Sequence, residues 1–339
     1  MGRSPIDLAY FIAVRLLELI PVLLGVILLT FFFTHIVVPD PCLAWNPRAK
    51  PDVIAACRQF FGFNQPLYIQ FEKYIIQLLR GNWGVDQNAV PVFPVIAAAL
   101  PETVELVLAS LLLMIIFGIL LGVIAARYAG RWPDHLVRVF YLSGWALPTY
   151  LAAILLAIVV APLVGLPTGG DFSVNPPPFP QPTHMSVLDA LLAGNLPFTL
   201  DAIEHLILPA TALAFLNLGI ITRMTRSSML EVLPMDFVKS ARMKGLHEST
   251  VVYRHVLRNS LITTTTVLGF TSSGLLSGTI VVEEVFRWPG IGLYSYNAVI
   301  EYNFAGTIGI VIVFAIAVVV ANLLADIVYG LIDPRVDWR

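Results

Sequence analysis

Residues 104–126 read VELVLASLLLMIIFGILLGVIAA, an apolar run with one charged side chain, Glu105, near its start. A helix rises about 1.5 Å per residue, so roughly 20 apolar residues cross a hydrocarbon core about 30 Å thick. The stretch is long enough to do so. Five more qualify, at about 19–38, 137–163, 206–222, 261–282 and 306–328. The shortest of them, LILPATALAFLNLGIIT at 206–222, carries Pro209. The runs are continuous, not alternating, which excludes an outer-membrane barrel, and open strands cannot pair their backbones in lipid. The predicted class is therefore an all-α membrane protein of six transmembrane helices. Composition agrees, with 58% hydrophobic and 12% charged residues. A formal net charge of -2 provides no basic field for nucleic acid.

The placement of Lys and Arg predicts orientation. With the N-terminus inside, cytoplasmic segments hold 14 of the 20 Lys and Arg, among them Arg127, Arg131, Arg138 and seven between Arg223 and Arg258. Segment 164–204 holds none. Both termini are thus expected in the cytoplasm, and the first apolar run reads as a retained span, not a cleaved leader. Of the outer segments, 39–102 contains QPLYIQFEKYIIQLLRG (65–81), whose apolar spacing predicts a helix ending near Gly81. GLPTGGDFSVNPPPFPQP (165–182) is too rich in Pro and Gly for regular structure. Cys42 and Cys57 both fall in the 39–102 loop. An oxidising exterior would allow a disulfide there, and two free thiols are the alternative.

Between the fourth and fifth spans, KSARMKGLHESTVVYRHVLRN (239–259) packs five Lys or Arg and two His into an otherwise oily chain. The loop is far longer than a helix hairpin needs. Gly245 is placed to end a short helix in a left-handed cap. Ser240, Ala241, Gly245 and Leu246 form a patch that admits close approach by another backbone, and Arg242, Lys244 and Arg254 offer charge to an acidic rim. Two readings follow: a helix-turn-helix that docks a protein, or a basic segment that binds anionic lipid headgroups.

The block RMTRSSMLEVLPMDFVKSARMKGLHESTVVYRHVLRNSL (223–261) resembles the signature loop of permease subunits of dipeptide/oligopeptide-class ABC importers. The resemblance extends through RLLELIPVLLGVILLTFFFTHIVVPDP, GFNQPLYIQFEKYIIQLLRGNWG, LPTGG (166–170), EEVFRWPGIG (283–292) and NLLADIVYGLIDPRV (322–336), nearly the whole chain. It implies a type I ABC importer permease fold in the cell membrane. The turn around Gly245 would be the "EAA" coupling element, which inserts into a cleft on a cytoplasmic ATPase subunit. Ser240, Ala241, Arg242, Lys244, Gly245 and Leu246, with His255, Arg258 and Asn259 of the H-x-L-R-N run, would then be the coupling residues. The partners implied are a second homologous permease, two ATPase subunits that bind ATP and Mg, and an external substrate-binding protein, with lipid around the whole. Three positions depart from the family pattern: Lys239 replaces the general motif's acidic residue, Thr263 a usual proline, and Pro39-Asp40-Pro41 lacks the usual glycine.

Residues 1–100 would hold the first span and external loop, 101–332 the permease core with coupling loop 223–260, and 333–339 a cytoplasmic tail. No G-x-x-x-x-G-K-[ST], G-x-S-x-G or H-E-x-x-H occurs, so neither catalysis nor a resident cofactor or metal is expected in this chain. Glu283 and Glu284 before FRWPGIG, with Trp288, are candidates for the translocation path or its gate; a solvated helix end is the plainer reading. Besides peptides, the class carries oligosaccharides, nickel complexes and other solutes. A secondary carrier would need ionisable groups deep in the spans, which are scarce, and a membrane anchor would leave the patterned loop unexplained.

Overall fold

The structure, a computed structural model, describes residues 5–37, 40–174 and 180–332. The tail 333–339, Pro39 and Arg3 lie outside the described residues. Helix α1 (Pro5–Val37) covers the first predicted span up to Val37, Val38 lying outside the described residues, and α2 (Pro41–Trp45), α3 (Pro51–Phe61) and α4 (Leu67–Leu79) follow it. Next come α5 (Val92–Arg127), α6 (Trp132–Ala146) and α7 (Thr149–Leu155), the last joined through a π-helical turn to α8 (Ala161–Val164). Short α9 (Ser186–Leu192) leads into α10 (Leu196–Val232). Then α11 (Asp236–Met243), α12 (Glu248–Thr250) and a second π-helical turn, Val251–Leu257, lead into α13 (Arg258–Phe286). Helices α14 (Ile291–Ile300) and α15 (Phe304–Ile332) complete the described residues.

Among the described residues, Val92–Arg127, Leu196–Val232 and Phe304–Leu323 are each long and apolar enough to cross a membrane alone. The third predicted span, 137–163, is not one straight helix: α6 and the α7–α8 segment meet at 113°. The cause is Pro148. It lacks an N–H and disfavours helical backbone in the residue before it, and Leu147 is accordingly extended (φ −92°, ψ 130°). Helix α13 is less apolar, yet Ser260, Thr264, Thr265 and Thr271 turn their hydroxyls back to carbonyls one turn earlier at 2.7–3.5 Å. Those groups therefore enter an apolar setting already paired. No break occurs at Thr263; the irregular turn lies upstream, at Val251–Leu257.

Packing in lipid rewards close backbones, since tails are as apolar as leucine. Helix α5 meets α10 through glycine: a methyl group on Gly122 would stand 2.5 Å from Thr225 Cβ. Around that seam Leu106, Met114, Leu213, Ile221, Leu275 and Phe286 are buried together. Helix α1 attaches to α15 through Ile27, Phe31, Ile308 and Ile312. Helix α10 has 37 residues, a length of about 55 Å at 1.5 Å per residue. That exceeds a hydrocarbon core of about 30 Å, so part of α10 must stand beyond it.

The 40–63 region is stapled. Cys42 and Cys57 are joined by a disulfide 15 residues apart in sequence, a closure worth about 3 kcal/mol in chain entropy. Asp40 caps α2 and accepts from Arg58. Trp45 Nε1 donates to the carbonyl of Tyr302 at 3.0 Å, holding the loop to the turn before α15.

Candidate functional site

Helix α11 ends in a full Schellman cap. The N–H of Leu246 reaches the Ala241 carbonyl at 3.4 Å and that of Gly245 reaches Arg242 at 2.9 Å, with Gly245 at φ +74°. Only glycine adopts that backbone without strain, as the sequence predicted. His247 then caps α12, its Nδ1 3.3 Å from the N–H of Ser249. Across the turn Arg242 grips Glu248 with two hydrogen bonds, at 3.2 and 2.8 Å. The guanidinium holds the Glu248 carboxyl below the usual carboxylate range. Lys239 pairs with Asp236 one turn back at 2.9 Å. The result is a hairpin, residues 236–250, whose shape is fixed by its own chain.

The hairpin has two unlike faces. Val238 and Ala241 of the hairpin, with Val251, Val252 and Val256 just after it, are buried against Val123 and Ala126 of α5 and Met229 and Val232 of α10. Residues 242–248 form an unbroken exposed run in which Met243 is 81% exposed and Leu246 is also open. The expectation that Ser240 and Ala241 share an outward small-residue patch is corrected here. Ser240 is exposed, whereas Ala241 faces the bundle, where its small size lets α11 lie close to the helix ends. Nor does Gly245 make room for a neighbour within this chain: no atom lies within 4 Å of a methyl group placed on it, so its backbone angle is what requires glycine. Arg242, expected to offer its charge outward, is engaged by Glu248, while Lys244 and Arg254 are exposed. His255, Arg258 and Asn259 lie beyond the hairpin on the helix running into α13, and Asn259 bonds the His255 carbonyl at 2.7 Å.

Two carboxylates that the sequence reading passed over hold this end together. Glu248 is one. The other is Asp134, fully buried at the start of α6, which accepts from Arg226 of α10 at 2.8 and 2.9 Å and from the N–H of Gly130 at 2.9 Å. Arg226 belongs to the RSSMLEVL run, and this two-pronged grip fastens α6 to the last turns of α10 just before the hairpin. Three residues separate the two elements in sequence.

The far end of the bundle is built differently. Glu283, a candidate for a charged gate, has no exposed surface. Its carboxylate accepts from Thr103 Oγ1 at 2.7 Å and from the N–H of Leu293 at 3.0 Å, while Thr103 in turn accepts from the N–H of Ile291 at 2.8 Å. Glu283 and Thr103 thus satisfy the first amides of α14, two of the orphan donors at a helix start. Trp288 is also fully buried and donates to the carbonyl of Glu102 at 3.0 Å. Both are internal to this chain instead of lining a mouth. Glu284 is half-buried and pairs with Arg287 at 3.2 Å. The glycines of FRWPGIG follow from this arrangement, because a methyl group on Gly290 would collide with both Thr103 Oγ1 and Glu283 Oε2.

The sequence pattern of the family described as "Binding-protein-dependent transport system inner membrane component" matches residues 118–338. A probable D,D-dipeptide transport system permease protein of Escherichia coli is 37% identical over 326 residues, 94% of each chain. A di/tripeptide transport system permease protein of Pseudomonas aeruginosa is 37% identical over 330 residues, 96% of this chain and 98% of its own. An oligopeptide transport system permease protein of Bacillus subtilis is 32% identical over 335 residues, 98% of this chain and 100% of its own. Among solved structures, an amino acid ABC transporter chain overlays 70% of this chain and 94% of its own with a TM-score of 0.48 at 12% identity, too distant to inform detail.

Proposed function

Because this chain belongs to the family of binding-protein-dependent transport system inner membrane components, we propose that it is the permease subunit of an ATP-driven importer of di- and oligopeptides, and that its 236–250 hairpin docks a cytoplasmic ATPase. The relatives' names support the cargo, being transport proteins for a D,D-dipeptide, for di- and tripeptides and for oligopeptides. One observation carries the docking: an internally braced hairpin buries one face on the helix ends and leaves Met243 and Leu246 exposed at the tip of the other. Exposed apolar side chains on a rigid turn form an anchor for a pocket on another protein.

In this reading six crossings, the third broken at Pro148, place both termini and the hairpin in the cytoplasm and the far end outside. A second, homologous permease completes the translocation path, two ATPase subunits bind ATP and Mg, and an external binding protein delivers the peptide. Closing of the ATPase pair on ATP moves the hairpin. The Asp134–Arg226 grip and the α5 seam carry that movement into α6, α10 and α5 as one body. Hydrolysis restores the inward-open arrangement. ATP shifts this equilibrium only to the extent that the docked hairpin differs in free energy between the two states.

The test is purification of the assembled complex through a tag on this chain, beside a Leu246→Asp variant. Leu246 is exposed, so the variant should fold and insert normally while its ATPase subunits fall away and ATP-driven uptake drops at least about tenfold, the loss of one buried apolar anchor. Retention of the ATPase by the variant at wild-type levels would refute the hairpin's role.

A further inference from the structure

At the far end of the bundle, the start of α5, Asp171, residues between 181 and 189, and Pro289 line an open cavity of about 560 Å³. Its charged lining is acidic: Glu102, Asp171 and Asp189, with His184 as the one base. Segment 164–204, which supplies most of that lining, contains no lysine or arginine. Glu102 is 8% exposed, and among the described residues its Oε2 has no hydrogen-bond partner. Asp189 is 1% exposed and its Oδ2 is likewise unpartnered, although its Oδ1 accepts from the N–H and hydroxyl of Thr183 at 3.1 and 2.6 Å. The Ser186 hydroxyl lies 2.6 Å from Glu102 Oε1 and 2.8 Å from Asp171 Oδ2. A hydroxyl has one hydrogen to donate, so it serves only one of those two oxygens at a time.

Glu105, one turn along α5, shows that acidity alone is not the point. Both its oxygens are served, by the N–H groups of Val187 and Leu188 at 3.2 Å. Among the described residues, the buried carboxylate oxygens without a donor are Glu102 Oε2 and Asp189 Oδ2, and both residues line the cavity. Buried acceptors without donors are costly, and buried negative charges without a cation more so. A guest that brings both positive charge and several N–H donors removes both costs. The described residues contain no His, Cys, Asp or Glu grouping close enough to hold a metal ion. A primary ammonium group instead brings one positive charge together with three diverging donors.

We propose that this cavity receives a primary ammonium group carried by a small solute, either the amino terminus of a short peptide or a simple alkylamine. Glu102 and Asp189 supply the vacant acceptors, Asp171 and Ser186 complete the polar side, and Ala98 and Ala99 lie beside the attached carbon. The placement of this cavity on the external face rests on the importer reading above; the binding chemistry does not.

The experiment is the thermal unfolding midpoint of the purified, assembled transporter titrated with n-propylammonium chloride, dialanine, N-acetyl-dialanine, and sodium and calcium chloride at matched ionic strength. A primary-amine site gives a saturable rise of about 2–4 °C with dialanine, absent with N-acetyl-dialanine and with the salts. A matching response to n-propylammonium identifies any primary amine as ligand, and a response to dialanine alone identifies the peptide terminus. The rise should vanish in Glu102→Gln/Asp189→Asn. Should that double variant fail to assemble, Asp171→Asn at the half-buried side of the cavity should weaken the response about tenfold, the loss of one charge-assisted contact. No response to either amine overturns the proposal. So does an amine response that survives in these variants, or a response to calcium alone. ATPase subunits that co-purify while no amine binds sink this proposal and leave the importer reading standing; saturable amine binding by material purified through a tag on this chain, with no ATPase co-purifying under any gentle condition, does the reverse.

Discussion

In the turn after α11, Gly245 faces open space and Glu248 lies in solvent beside Arg242; in the turn after α13, Gly290 is pressed against Glu283, which solvent does not reach. Both turns pair a glycine with a carboxylate, and both stood out in the sequence as candidate sites. They differ in where the pair's partners lie. At Gly290 the neighbours come from α5 and α13, so the turn is an internal joint. At Gly245 the neighbours within the chain are missing on one side, so the turn has a free face. A free, rigid face is what a partner can use; a saturated joint is what a fold needs.

That contrast breaks first at Gly290. Gly290→Ala forces a methyl group onto Thr103 and Glu283 and should cost about 3 kcal/mol, seen as a large drop in unfolding midpoint and in membrane yield. Little loss there would mean that the joint is looser than described. Gly245→Ala meets no steric obstacle and should cost only the left-handed backbone, about 1 kcal/mol, with the spans intact by circular dichroism. A cost as large as that of Gly290→Ala would erase the distinction between the two turns.

The Arg242–Glu248 pair should contribute least, about 0.5 kcal/mol, because both side chains are more than a third exposed and salt screens them. Arg242 lowers the Glu248 carboxyl in the folded chain, so its contribution is full above the unfolded value near pH ~4.3 and fades as pH falls through the lower folded value. Comparing Glu248→Gln with wild type across pH 3–7 should show curves that differ slightly at neutral pH and merge in acid.

The hairpin was legible because its determinant is local: a glycine after a short amphipathic segment prescribes its own cap. Helix α4 before Gly81 was legible for the same reason. The break at Pro148 was written in the residue itself, yet the surrounding run is so apolar that length alone suggested one straight span. Ala241 could not be oriented from sequence, since its burial depends on Val123 and Ala126 of α5. Asp134 with Arg226, and Glu283 with Thr103, join residues 92 and 180 positions apart, and no local pattern announces such a pair. Charge in a sequence marks a position; only the fold decides whether that charge faces a partner, a helix end or a cavity.

Cysteine cross-linking tests the free face most directly. The chain's two cysteines are joined to each other, so Met243→Cys at the hairpin tip and Tyr296→Cys, exposed on α14, each add a single thiol. In membranes that carry the assembled transporter, a short bifunctional thiol reagent should link Met243→Cys to an ATPase subunit and leave Tyr296→Cys unlinked to it. If Met243→Cys reacts freely with a soluble thiol reagent yet yields no ATPase adduct in a preparation that hydrolyses ATP, the hairpin is not the docking element and the central claim fails.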